Sequence, residues 1–196
     1  MTRTVTGLFD SYDEAADAVR DLEAAGIPHN DISIVANNAD NRWSAPERAA
    51  DEAGSGAAAG ASMGAALGGG AGLLAGLGLL AIPGLGPVVA AGWLAATAVG
   101  AVAGGAAGGL VGSLTNAGVN PKHAEVYAEG VRRGGSIVTA RVNDTLAARA
   151  ESILSGSGAV DPDIRGEAYR KSGWTRFDPN AAPFTVEEIE RERTLY

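Results

Sequence analysis

The sequence predicts an α+β fold: a ferredoxin-like antiparallel sheet with helices, interrupted by a long glycine-zipper α-helical hairpin. Three observations predict it. Short alternating β-branched runs are interleaved with capped amphipathic helices near both ends of the chain. The charges fall into two blocks: residues 1–52 carry four basic and eleven acidic side chains, residues 122–196 carry eleven and twelve, and residues 53–121 carry none. That charge-free centre repeats glycine at a spacing of four, a pattern found in neither flank.

The first strand is "RTVTGLF" (3–9), with Val5, Gly7 and Phe9 on one face and Thr4, Thr6 and Leu8 on the other. In "SYDEAADAVRDLEAAG", Ser11 is the N-cap and Glu14 its capping-box partner. Ala15, Ala18, Val19 and Leu22 follow at helical spacing, and Gly26 ends the helix. A second strand at about 31–36 puts Ile32 and Ile34 on one face, so residues 1–37 make the first half of the domain. Residues 38–53 read as a polar linker, with a helical turn after Ser44 because Pro46 suits an early helical position.

Residues 54–118 predict the glycine-zipper hairpin. Glycine costs about 1 kcal/mol relative to alanine inside a helix, so close backbone approach has to offset the loss. Gly56, Gly60, Gly64, Gly68, Gly72 and Gly76 form one stripe, and Gly92, Ala96, Gly100, Gly104, Gly108 and Gly112 repeat it in a second arm. Pro83, Gly84, Gly86 and Pro87 mark the turn at about 82–88. Each arm of roughly 28 residues would be about 42 Å long, beyond the roughly 20 residues that span a hydrocarbon core. The first arm opens on Ala and Gly, however, and insertion is driven by larger apolar side chains. Between Ala71 and Ala96 only Trp93 offers a hydrogen-bonding side chain, so the tip is expected to be buried, in lipid or among copies of the chain.

The second half of the domain, residues 119–165, opens with a helix in "VNPKHAEVYAEGVRRGG". Asn120 caps it, Pro121 takes its first position, and Ala124, Tyr127, Ala128 and Val131 share a face. "SIVTARV" (136–142) is a third strand, "NDTLAARAESILSGSG" a helix capped by Asn143 or Asp144, and "AVDPDI" a short fourth edge strand. Residues 166–196 form an aromatic arm and a final helix whose capping box is Thr185 and Glu188. Tyr169, Trp174, Phe177 and Phe184 are too few for a core of their own, so the arm packs on its own sheet or between subunits, and the second is the expectation.

The start "TVTGLFDSYDEAADAVRDLEAAGIPHNDISIV", the central glycine zipper, "YAEGVRRGGSIVTARV" and "GWTRFDPNAAPFTVEEIERER" together resemble the bacterial heat-induced general stress (YflT-like, general stress protein 17M-like) family. The resemblance implies a stress-linked role and carries over no catalytic residue.

Several function classes are disfavoured. A net charge of −8 argues against nucleic acid as a partner, and the absence of cysteine excludes disulfides and thiolate chemistry. His29 and His123 alone make a poor metal site. "GLGLLAIPGLGP" lacks the Lys and Ser or Thr of a phosphate loop, so no cofactor is expected. Asp10, Asp13, Glu14 and Asp17 suit a helix start rather than a cation site. Arg132, Arg133, Arg170, Lys171 and Arg176 are the one basic concentration, facing solvent, anionic headgroups or an acidic neighbour. The N-terminus lacks a secretory signal, so a cytoplasmic start is expected.

The functional expectation is a non-enzymatic stress protein that self-assembles through the hairpin as a homo-oligomer, on the cytoplasmic side of the inner membrane or embedded in it, with membrane lipid as a second partner. The alternatives are a soluble particle or filament with buried hairpins and a small-ligand-sensing module.

Overall fold

The computed structural model describes residues 2–41, 78–82, 84–95, 97 and 109–195. Strand β1 (Thr2–Phe9) runs into helix α1 (Tyr12–Ala24) through Ser11, whose hydroxyl accepts from the Glu14 N–H while the Glu14 carboxylate accepts from the Ser11 N–H. A 3-10 turn at His29–Asp31 leads into β2 (Ile32–Asn37). Next come β3 (Gly78–Ile82), β4 (Gly86–Gly92), α2 (Gly109–Asn116) and α3 (Pro121–Arg132). Then follow β5 (Ser136–Asn143), α4 (Asp144–Gly156), α5 (Pro162–Lys171) and α6 (Val186–Arg193).

The five strands form one sheet in the order β1-β5-β2-β4-β3, every neighbouring pair antiparallel. Joined by α1, β1 and β2 run the same way, and β5 inserts between them as the strand antiparallel to both. Side chains of β5 alternate between two cores. Val138, Ala140 and Val142 meet Val5, Phe9, Ile32 and Ile34 beneath α1 and α4. Ile137 meets Leu8, Val35, Val88 and Leu94 beneath α2 and α3. Full burial of each such side chain stabilises by roughly 1.5–3 kcal/mol.

The α+β class and the antiparallel sheet agree with the sequence, and the sheet differs from a four-stranded ferredoxin-like one by the added strands β3 and β4. A ferredoxin-like sandwich keeps its helices on one face, as α1 and α4 are kept here, whereas α2 and α3 cover the other face as well. The physical cause lies in β5 and β2, which are buried at nearly every position rather than at alternate ones, so each face carries a cover.

The expected turn of a helical hairpin is the second correction. Residues 78–92 form a β-hairpin, with Ile82 paired to Gly86 and the Leu85 N–H donating to the Ile82 carbonyl at 3.0 Å. Val88 and Val89 are β-branched, and β4 gains a full ladder against β2, from Ser33↔Gly92 to Asn37↔Val88. Those cross-strand contacts outweigh the four-residue glycine spacing in this stretch.

"AVDPDI" is the third correction. It contributes a single bridge, Leu8↔Val160, and then turns into α5, because Asp161 accepts from the N–H groups of Asp163 and Ile164 and Pro162 takes the first helical position. Helix α5 therefore crosses the boundary expected at 165/166. The helical turn expected after Ser44 lies outside the described residues.

Candidate interaction surface

Of the expected packing positions, Gly56, Gly60, Gly64, Gly68, Gly72, Gly76, Ala96, Gly100, Gly104 and Gly108 lie outside the described residues, as does Pro83 of the turn. Gly112 lies within α2 and is half-buried. Gly92 is not on a helix: it ends β4 with φ of 87°, and a Cβ there would collide with the Ile32 carbonyl oxygen. Beside it, the Ser33 hydroxyl donates to the Ala91 carbonyl and accepts from the Leu94 N–H, both at 2.8 Å. Gly92 is thus required by the close approach of β2, not by another helix.

The structure brings the turn and the aromatic arm together. A Cβ on Gly84 would stand 2.8 Å from Pro179 Cα, and one on Gly86 would stand 2.7 Å from Pro183 Cβ, so residues 178–183 cross the β3–β4 turn. Pro87 follows on β4 and is exposed. Phe177 packs against the core shared by Ile82, Leu85 and Leu94. Tyr169 is buried, with Trp174 edge-on at 5.9 Å. Phe184 lies beneath the Arg132 and Arg133 guanidiniums, 4.8 and 5.4 Å from its ring centre. All four aromatic side chains expected between subunits pack on their own chain.

Carboxylate–guanidinium contacts fasten this arm. Arg165 makes two hydrogen bonds to Asp10, at 2.6 and 2.8 Å. Glu129 is fully buried and accepts from Arg133 at 2.8 Å and from Arg132 at 3.3 Å, while Arg133 reaches Glu192 of α6 at 2.7 Å. Arg132 also donates to the Ala182 carbonyl at 3.1 Å. Asp10, Arg133, Arg165, Tyr169, Glu192 and Arg193 line a small, shallow cleft. Burial alone would lower the Arg165 and Arg133 pKa values, but hydrogen bonds to Asp10 and Tyr169, and to Glu129 and Glu192, hold both above the ordinary arginine value. These cations are already matched by anions, so the cleft works as a clamp on the arm. The sequence contains the clamp residues but gives no sign of their pairing, since Asp10 and Arg165 are far apart along the chain.

The two edges of the sheet differ. In β1 the outward-facing Leu8 carbonyl accepts from the Val160 N–H at 2.7 Å, and the Thr6 carbonyl accepts from the Tyr127 hydroxyl at 3.2 Å. The Thr4 hydroxyl donates to the Ala117 carbonyl, and Arg3 adds an exposed charge. Burial first, then the nearby Asp161 and Asp163 carboxylates, push the Tyr127 hydroxyl up to about 12, which keeps it a donor. At the other edge, β3 contributes Gly78, Leu79, Leu80, Ala81 and Ile82, with no charge. Leu79 is 40% exposed and Ala81 is exposed too. Among the described residues, nothing pairs with the outer side of β3.

His123 contacts Asp163 at 3.1 Å on the surface. Among the described residues, no group of three or more His, Asp or Glu side chains is placed to hold a metal ion.

Residues 4–83 match the family model of the heat induced stress protein YflT domain. The match spans β1, α1, β2 and β3, and leaves out β5, the strand that joins β1 to β2 in the sheet. No curated protein and no solved structure matches the chain. The resemblance seen over nearly the whole sequence is thus carried by its first 83 residues, and they support a place for this chain among the YflT-like general stress proteins.

Proposed function

We propose that the protein is a non-enzymatic, stress-related protein that associates with copies of itself. The stress-related role follows from the YflT match. Self-association rests on one observation: the outermost strand, β3, is uncharged, exposes Leu79, and directly follows the glycine-rich part of the charge-free stretch. Copies that each carry a net charge of −8 repel one another, and close approach is least costly where neither brings a charge. In the sequence, the run of glycines from Gly56 to Gly76 directly precedes that strand, and a four-residue spacing of small residues suits close packing between copies.

The same charge-free stretch favours a second reading, in which its neighbours are lipids. No helix among the described residues is long and apolar enough to cross a membrane. Carbonate washing and flotation, followed by sizing without detergent, separate the two readings. Large particles in the soluble fraction support protein-only assembly, and recovery with the floated vesicles supports lipid. In either case Gly64→Leu and Gly104→Leu should reduce particle size while the α+β domain keeps its circular dichroism; unchanged particles in both variants contradict the role given to the glycine stripe.

A further inference from the structure

We propose that β3 is the contact strand of a homodimer, pairing antiparallel with β3 of a second copy to make one ten-stranded sheet. This rests on the self-association reading and names the surface and the partner. The ladder shows which groups are offered. The Pro87 carbonyl accepts from the Asn38 N–H at 2.9 Å, so Pro87 turns its backbone groups toward β2, and its neighbour Val88 turns toward β3. Val88 is opposite Leu80, Ala90 opposite Gly78 and Gly86 opposite Ile82, so those three β3 residues bond inward. Leu79 and Ala81 therefore direct their N–H and C=O groups outward, and their side chains are also exposed.

A twofold axis at Leu80 places Leu79 of each copy opposite Ala81 of the other, and two such pairs make four backbone hydrogen bonds. A second copy fits this edge for two reasons. The strand lies inside the long charge-free stretch of a chain whose net charge is −8, so a charged partner finds no complement there, whereas an identical edge brings no repulsion. In addition, the opposite edge is closed by three separate devices, Val160, Tyr127 and the Arg3 charge, so pairing through β3 ends at a dimer instead of running on as a fibre.

The test uses the full chain. Ala81→Pro removes an outward N–H that no bond among the described residues uses, and Leu79→Lys puts a charge on the edge. Sedimentation over a range of concentrations, with amide exchange read at Leu79 and Ala81, is the measurement. The expected result is protection of both amides that fades on dilution, and association at least about tenfold weaker in both variants, through the two hydrogen bonds, one per copy, that Ala81→Pro removes and the like charges that Leu79→Lys brings together. Thr4→Lys on the opposite edge should leave it unchanged. Wild-type mass and protection retained in both folded variants overturn the edge pairing and leave self-association standing. Protection independent of concentration means that the chain covers its own edge, which also overturns the pairing. A wild-type monomer at every concentration overturns both.

Discussion

Gly92 and Tyr127 carry the clearest single-residue consequences. At Gly92, φ of 87° and the adjacent Ile32 carbonyl leave no room for a side chain. Gly92→Ala should therefore lower stability by about 2 kcal/mol or more, read as a shift of the urea midpoint. In a helix interior the same change would stabilise by up to about 1 kcal/mol, so the sign alone separates strand end from zipper. Tyr127 is neutral in the fold, with its hydroxyl pushed from 10.0 to about 12 by burial and by Asp161 and Asp163. Because the folded value is the higher one, its contribution is complete below pH 10 and is lost as pH rises toward 12, on the order of 2 kcal/mol. Tyr127→Phe should cost about 1 kcal/mol at pH 7 and make the decline between pH 10 and 12 shallower, as measured by denaturation at several pH values. An equally steep decline would place the titration elsewhere. The Ser11–Glu14 and Thr185–Glu188 boxes were readable from sequence because a cap needs only a three-residue spacing. Glu129 was not readable, because its burial is decided by Arg132, Arg133 and α6 together.

Among the elements, the C-terminal arm and the β3–β4 hairpin depend on each other. Helix α6 is held by Ile189 packed against Gly134 and by the Arg133–Glu192 pair, and the segment before it covers Gly84 and Gly86. Removing the fully buried Glu129 leaves two largely buried guanidiniums without their shared anion, so Glu129→Ala should destabilise the whole domain by roughly 3–5 kcal/mol. Glu192 is at the rim, so Glu192→Ala should instead loosen α6. Limited proteolysis should then cut within residues 175–195 sooner, with the melting temperature of the rest nearly unchanged. Cuts spread across α1 and β5 would contradict that division. Most elements flanking the glycine stretch were legible because their periodicity and caps are local. The β-hairpin was not: "LLAIPGLGPVVAAG" is a short apolar run that fits strand or helix, and the neighbouring glycine period of four favoured helix. "Pro-Gly" between two apolar runs was the signal for a hairpin. The position of β5 between β1 and β2 is the one a ferredoxin-like order gives its third strand, so it was implied by the expected fold, while the added strands β3 and β4 depend on long-range pairing that no local signal shows.

At the scale of the whole molecule, the three-layer domain has one closed edge and one, β3, that nothing among the described residues pairs with on its outer side, and this second edge lies in the charge-free stretch. Charge then controls association in a readable way. With β3 uncharged and the rest of the chain at −8, added salt should strengthen self-association by screening repulsion, the opposite of an interface built on ion pairs. Weaker association at high salt, followed by light scattering, would show that charged side chains hold the copies together. The most direct test of self-association is the mass of the full chain, measured by sedimentation equilibrium without detergent across a wide concentration range. Self-association predicts masses above the single-chain 19.6 kDa that rise with concentration, and a constant 19.6 kDa at every concentration contradicts it.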